Sequence, residues 1–278
     1  DLTGRDLQEY RLWRQDDADL KKITLTQQMS TIRVFIKWCG SMEAVPADLY
    51  EKVMIPRVTP EEERSEEMLE AETAEAIREH LMRYHYASFE QTVFVLLWET
   101  GMRLGGAHSL DINDIDIQNR RIELVHRPER GTELKNGGAG ERPIAITEDL
   151  AEILQEFIDN TRQDITDEYG REPLFTTSHG RMCRNSIRRA VYRVTAPCFR
   201  NEPCSGCTGT DENKCPEAVS PHPIRRGSIT HFLTKDIPTE IVSDRMNVSR
   251  DVLDKHYDQR SEEVKLEQRR GYLVALQA

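Results

Sequence analysis

The sequence predicts a mostly helical α+β protein with a small helical domain, a linker and a larger helical domain that contains a small antiparallel β-sheet. Apolar residues recur at helical spacing over most of the chain. Two alternating segments flank the glycine-rich stretch "KNGGAGE", as in a β-hairpin. An acidic stretch with two prolines separates the two parts. We expect the domains at residues 1–58 and 68–278, joined by a linker at 59–67, with the first domain incomplete at its N-terminus.

The first domain contains one strong helical pattern, "TLTQQMSTIRVFIKWCG". Its apolar positions are predicted to face the core: Met29, Ile32, Phe35 and Ile36. Thr24 or Thr26 would cap the start of this helix.

The second domain begins with the amphipathic helix "AETAEAIREHLMRYH", followed by the buried helix "FEQTVFVLLWETG", which should end at Gly101. Residues 120–126 and 142–146 are predicted strands, and "TEDLAEILQEFIDNTR" is a further helix. Residues 185–195 form a helix with one apolar face, which is made by Ile187, Val191 and Val194. The last 29 residues, "RDVLDKHYDQRSEEVKLEQRRGYLVALQA", are predicted to be helical.

The composition combines 37% hydrophobic residues, enough for a packed core, with a net charge of −11. Arginine outnumbers lysine by 29 to 9. This pattern favours a protein from a salt-loving cell, with an ordinary acidic cytosolic protein as the alternative. The sequence shows neither an apolar run of about 20 residues nor a signal-peptide pattern, so we expect a cytoplasmic protein without a membrane partner.

Four elements carry residues suited to phosphate chemistry. They are Arg103 in "TGMRLGGAHSLDINDID", Lys135 in the hairpin turn, the pair His222 and Arg225 in "HPIRRGSITHFL", and Tyr257 in "RMNVSRDVLDKHYD". Taken singly, each has an ordinary structural explanation, such as a solvated charge or a core tyrosine. Their order and spacing along the chain are more informative.

This order resembles that of the tyrosine recombinases, the phage-integrase family, over roughly residues 90–260. Two motifs carry the resemblance, and their other matching positions are Thr100, Gly101, Leu110, Asp114 and Ile224. The chain looks closest to Xer-like integrases of haloarchaea and their viruses. The resemblance implies a tyrosine-recombinase catalytic domain preceded by a helical core-binding domain.

The resemblance also implies a role for each residue. Arg103 and Arg225 would brace the oxygens of a scissile phosphate, Lys135 would protonate the leaving 5′-oxygen, and His222 would move a proton. Tyr257 would attack and form a 3′-phosphotyrosine.

The chain departs from the family pattern at three positions. Asn247 stands where the family often has His or Trp, Gly106 replaces an acid, and Arg226 replaces a common His. We still include Asn247 among the catalytic residues, because its amide can donate a hydrogen bond to a phosphate oxygen.

The predicted activity is site-specific recombination without a catalytic metal or ATP. The alternatives are a type IB topoisomerase-like strand transferase and an inactive DNA-binding relative. The expected partner is double-stranded DNA at a specific site, with a homotetramer on two sites and a monomer when free. Eight basic residues are predicted to contact DNA: Arg33, Lys37, Arg121, Arg142, Arg184, Arg188, Arg189 and Arg226.

Four of the six cysteines cluster in "PCFRNEPCSGCTGTDENKCPE". Their thiolates could close a structural zinc site, made by Cys198, Cys204, Cys207 and Cys215. The alternative is a polar surface loop with free thiols.

Overall fold

In a computed structural model the chain divides into two compact units, Asp1–Glu66 and Glu67–Ala278. The structure describes residues 2–16, 20–59, 67–206, 215–256, 258 and 260–275. Among these residues, none of the helices is long and apolar enough to cross a membrane.

The first unit contains α1 (Gly4–Asp16), α2 (Lys22–Ser41) and a 3₁₀ turn (Leu49–Lys52). They pack around a core made by Leu7, Leu25, Met29, Ile36, Leu49 and Val53. The prediction that Thr24 or Thr26 caps α2 was wrong, because the helix begins earlier, after Lys21 in an extended conformation.

The predicted core position of Phe35 was also wrong, because its side chain is 57% exposed. Phe35 follows Met29 by six residues, which places it about 240° around the helix, off the buried stripe. Its ring stacks on that of Trp38 instead, with the centroids 5.9 Å apart.

The second unit is built around one buried helix. Its helices are α3 (Ala71–Tyr84), α4 (Phe89–Thr100), α5 (Leu104–Ser109), α6 (Glu148–Glu156), α7 (Arg184–Thr195), α8 (Pro221–Thr234), α9 (Thr239–Met246), α10 (Arg250–His256) and α11 (Glu262–Ala275). The central helix α4 packs against α3, α6, α7 and α8. The Ser88 side chain caps its start, and Gly101 ends it in the left-handed conformation, as predicted.

The strands form two small antiparallel sheets. The first has the order β1 (Ile115–Asp116), β2 (Arg121–Leu124) and β3 (Arg142–Ala145), and the second pairs β4 (Thr176–Thr177) with β5 (Gly180–Arg181). The predicted β2–β3 hairpin is therefore confirmed, with the buried residues Ile122 and Ile144 paired across it. The helical C-terminal stretch consists of two helices, α10 and α11.

Candidate active site

The first turn of α8 presents His222 and Arg225. Prolines suit the start of a helix, where the first backbone N–H groups have no partner within the helix, and α8 has Pro221 and Pro223 there. Ile224, fully buried, fixes the opposite face of this turn in the core. His222 and Arg225, three residues apart, therefore face the same side.

Main-chain carbonyl groups hold the two candidate phosphate-binding arginines. Arg225 is only 2% exposed and donates hydrogen bonds to the carbonyl oxygen of Gly101 and, over 2.8 Å, to that of Met246. Arg103 follows the left-handed Gly101 and donates to the carbonyl oxygen of Asn247 over 3.4 Å. The α4–α5 turn, α8 and the end of α9 thus meet at these arginines.

The loop between β2 and β3 carries Lys135, whose side chain is exposed. The preceding residue, Leu134, is buried, and its backbone N–H donates to Nδ1 of His126 over 2.9 Å. The following residue, Asn136, donates to the side-chain oxygen of Asn247. Lys135 is therefore held between two anchored neighbours while its own side chain reaches solvent.

These segments enclose a cavity of about 620 Å³. Five of the six predicted catalytic residues line it: Arg103, Lys135, His222, Arg225 and Asn247. Three of the predicted DNA-contacting residues, Arg142, Arg184 and Arg188, also form its wall. The sixth catalytic residue, Tyr257, lies outside the described residues.

The concentration of positive charge changes the protonation of His222. Partial burial of its ring, followed by repulsion from Arg226, Arg225, Lys135 and Arg103, lowers its pKa to about 4. Part of the residue nevertheless remains exposed to solvent. The imidazole is therefore neutral at pH 7 in the free protein and can accept a proton.

Arg142 is partly buried in the cavity wall, unlike a residue that contacts DNA from an exposed surface. Its Nε donates to the carbonyl oxygen of Arg245 over 2.7 Å and its Nη1 donates to that of Gly140 over 2.8 Å. Burial, together with Arg225 and Arg103, lowers the pKa of Arg142 to about 10. It remains a cation at pH 7.

The other predicted DNA contacts fall into two groups. Most are exposed: Arg33, Lys37, Arg121, Arg188 and Arg189, while Arg184 is partly exposed and paired with Glu133 over 3.0 Å. Arg226 differs, because it is only 4% exposed and its Nη1 donates to the main-chain oxygen of Glu67 over 2.9 Å. Arg225 is as buried but lines the cavity, whereas Arg226 is not among the residues that line it, so Arg226 has little surface to offer a DNA phosphate.

Two polar residues whose hydrogen bonds support the site were not predicted from the sequence. Asn136 bonds to Asn247, and Arg245 donates to the carbonyl oxygens of Ala145 and Glu99 over 2.7 and 3.1 Å. Asn136 belongs to a glycine-rich turn, where asparagine is common for conformational reasons, so its sequence context did not indicate a role in the site.

The cysteine cluster is only partly described. The sulfur atoms of Cys204 and Cys215 are 3.3 Å apart, and Cys207 lies outside the described residues. Within the part of the chain that the structure describes, no group of three or more His, Cys, Asp or Glu side chains could hold a metal ion.

The fold and the cation-lined cavity define the class: the second unit has the fold of a tyrosine-recombinase catalytic domain. The model of the phage integrase family matches residues 66–263, and the chain belongs to that family.

Among curated relatives, the chain is similar to the tyrosine recombinase XerC of Corynebacterium glutamicum, with 23% identity over 226 residues. The match covers 78% of this chain but only 61% of that relative.

Two solved structures support the fold. The Tn1549 transposon integrase in complex with transposon right end DNA has a TM-score of 0.65 and 16% identity, and the match covers 100% of this chain and 86% of that one. The XerH site-specific recombinase bound to palindromic difH substrate has a TM-score of 0.64 and 14% identity, and the match covers 93% of this chain and 70% of that one.

Proposed function

We propose that the chain is a site-specific DNA recombinase that cuts and rejoins DNA strands through a 3′-phosphotyrosine. The observation that carries this proposal is the convergence of Arg103, Lys135, His222 and Arg225, from separate segments of the chain, on one cavity. Their charges suit a phosphodiester, and the phage integrase family supplies the precedent for the fold.

Each described residue has a task that its geometry suits. The guanidinium groups of Arg103 and Arg225 brace the non-bridging oxygens and stabilise the charge of the five-coordinate phosphorus. This gives electrostatic stabilisation of the kind that a Lewis-acidic metal ion supplies in other enzymes, so the proposed step needs neither a metal ion nor ATP.

Strand cleavage exchanges one bond at phosphorus for another. The phenol oxygen of Tyr257 forms a bond to phosphorus, and the bond from phosphorus to the 5′-oxygen breaks. The phenol proton passes to the neutral His222, and Lys135 gives a proton to the departing 5′-oxygen. The reverse reaction, with a 5′-hydroxyl from a second DNA end, reseals the strand and conserves the bond energy.

Covalent capture tests this proposal and does not require a known target site. The protein is incubated with a pool of nicked duplexes of randomised sequence, and DNA that remains attached to denatured protein is recovered and sequenced. We expect enrichment of one site, and we expect the adduct to vanish in Tyr257→Phe. If the wild-type protein forms no adduct, the proposal is wrong.

The same experiment separates the alternatives. A type IB topoisomerase-like enzyme would form adducts without site enrichment and would relax any supercoiled plasmid. An inactive relative would bind duplexes without forming adducts.

The exposed side of α7 suits the proposed DNA partner. Arg184 and Arg188 reach the cavity wall from this helix, and Arg189 is exposed beside them. Contacts from such side chains to phosphates would position the duplex without reading its sequence. We propose a tetramer on two DNA sites, formed from monomers, which light scattering with and without the captured site would test.

We keep structural zinc at Cys198, Cys204, Cys207 and Cys215 as a proposal. The observation that favours it is that the fold brings two of these thiols together, with the sulfurs of Cys204 and Cys215 3.3 Å apart. Elemental analysis of freshly purified, reduced protein should find zinc, and Cys204→Ser should lose it. Zinc-free wild-type protein would contradict the proposal.

We also propose a cytoplasmic location and a haloarchaeal origin, the latter supported by the net charge of −11 and the excess of arginine over lysine. Molar potassium chloride should then raise the urea concentration at which the protein unfolds, because salt screens the repulsion among its acids. Insensitivity to salt would favour an ordinary acidic protein.

A further inference from the structure

Asn247 occupies a backbone conformation that few residues tolerate. It follows the last residue of α9 with φ 48° and ψ 64°, in the left-handed region. Asparagine and glycine accept this region more readily than other residues. The backbone carbonyl of Asn247 accepts the hydrogen bond from Arg103, and that of Met246 accepts one from Arg225. This turn therefore touches both phosphate-binding arginines.

The side chain of Asn247 faces the loop that carries Lys135. Its Nδ2 donates to the carbonyl oxygen of Ala139 over 2.6 Å, and its Oδ1 accepts a hydrogen bond from Nδ2 of Asn136. Asn136 is the residue directly after Lys135. Both ends of the Asn247 amide are thus bound to the segment that places the ammonium group.

We propose that Asn247 is a positioning residue for Lys135 and that Asn136 is its partner. On this proposal Asn247 acts through the loop and not as a direct phosphate ligand. It links the lysine loop to the two arginines, so that the proton donor and the phosphate-binding groups keep a fixed relative geometry. The inference rests on the proposed function, because it presumes that Lys135 protonates the 5′-oxygen.

A change of leaving group separates positioning of Lys135 from phosphate binding. Two versions of the captured nicked duplex are compared, one with the natural 5′-oxygen and one with sulfur at that bridging position. A thiolate, whose acid has a pKa of about 8.5, leaves without a proton, whereas an alkoxide, whose acid is far weaker, needs one. Loss of Lys135 function therefore slows only the oxygen substrate.

The variants are Asn247→Gly, which keeps the left-handed backbone, and Asn136→Ala, which removes the partner from the other side. We expect Asn136→Ala to slow cleavage of the oxygen substrate about 3- to 10-fold and Asn247→Gly about 10- to 100-fold, for one and two lost hydrogen bonds. Both variants should cleave the sulfur substrate at the wild-type rate. Their effects on the oxygen substrate should not be additive, because both remove one shared contact.

Two control variants test whether the selective loss is specific to the loop that carries Lys135. Lys135→Ala should show the same selective loss, and Asn119→Ala, in the β1–β2 turn where Asn119 bonds to Asp116, should cleave both substrates normally. Should Asn247→Gly slow both substrates while Asn136→Ala slows neither, Asn247 acts on the phosphate and the positioning role is wrong.

Two further results would also overturn the inference: equal slowing of both substrates by both variants, and no slowing by either. Because Asn136 is exposed, its variant still gives a test if Asn247→Gly fails to fold. A wild-type protein without adducts on either duplex would instead contradict the proposed function.

Discussion

Replacement of Gly227 by alanine should destabilise the protein, because the segment before α3 crosses α8 at this residue. A Cβ atom at position 227 would lie 2.0 Å from the main-chain oxygen of Leu69 and 3.1 Å from the Trp98 ring. A backbone oxygen cannot rotate away as a side chain can, so the chain at residues 67–69 would have to move.

The cost follows from what that movement disturbs. Overpacking costs about 1–3 kcal/mol. Two hydrogen bonds hold the segment, from the Leu69 N–H to the Pro223 oxygen and from Arg226 to the Glu67 oxygen, and each contributes about 0.5–1.5 kcal/mol. Alanine recovers up to about 1 kcal/mol as a better helix former than glycine. Taken near the middle of these ranges, the terms give a net loss of about 2–4 kcal/mol.

Urea unfolding followed by circular dichroism measures this loss, and thermal unfolding should show a decrease of ~4–16 °C in Tm. Gly105→Ala is the matched control, since that helical glycine has no heavy atom within 4 Å of the added Cβ. It should leave stability unchanged or raise it by up to about 1 kcal/mol. If Gly227→Ala is as stable as Gly105→Ala, the close crossing at Leu69 does not exist in solution.

Three other predictions concern burial and charge. Phe35→Ala should change the free energy of unfolding by no more than about 0.5 kcal/mol, whereas Met29→Ala on the buried face of the same helix should cost about 2–5 kcal/mol, as urea titrations would show. Arg188→Gln should weaken DNA binding and reduce the slope of log affinity against log salt concentration by about one. Arg226→Gln, at a buried position, should instead lower the stability of the protein and leave that slope unchanged. Burial, followed by repulsion from nearby arginines, lowers the pKa of His108 from 6.5 to about 4, so the unfolded chain binds the proton more tightly. His108 should therefore cost up to about 3 kcal/mol of stability as the pH decreases across that window, and His108→Asn should reduce the total loss by this amount while the contribution of His222 remains.

The parts of the fold that the sequence predicts are those where one local signal dominates. Helix α4 is apolar on nearly every side and ends at a glycine, so both its burial and its end could be read from the chain. Strand β1 has only two residues, too few for an alternating pattern, and it exists because β2 pairs with it. The exposure of Phe35 escaped prediction because its spacing of three residues from Ile32 also fits a buried stripe, and only its angle from Met29 places it outside the stripe.

In the site, the order of the motifs predicted which side chains line the cavity but not what orients them. The contacts that fix Arg103 and Arg225 come from main-chain carbonyl oxygens, which every residue carries and which leave no signature in the sequence. The burial of Arg226 could not be predicted from the sequence for a related reason. Its partner is the backbone of Glu67, a residue 159 positions away.

These carbonyl contacts have an electrostatic consequence. A neutral oxygen fixes the direction of a guanidinium without cancelling its charge, whereas a carboxylate would do both. The salt-bridged arginines of the same unit show the contrast, since Arg127 forms two hydrogen bonds with the carboxylate of Asp114, at 3.0 and 2.6 Å. The cavity thus holds cations whose mutual repulsion a phosphate would relieve, and that repulsion adds to burial in lowering the pKa of His222.

At acidic pH, binding of DNA should therefore be coupled to proton uptake by His222, whereas at pH 7 the imidazole stays neutral and can still accept the phenol proton. A phosphate beside the imidazole stabilises its charged form, so the pKa should rise from about 4 on binding, and the complex should take up a proton between that pH and the new pKa. Titration calorimetry of Tyr257→Phe with the captured duplex, at pH 5.5 in buffers of different ionisation enthalpy, measures the number of protons, and affinity should increase as the pH falls. The double variant with His222→Gln should bind without this uptake. Equal uptake by both proteins would show that a group other than His222 binds the proton, and the predicted coupling would be wrong.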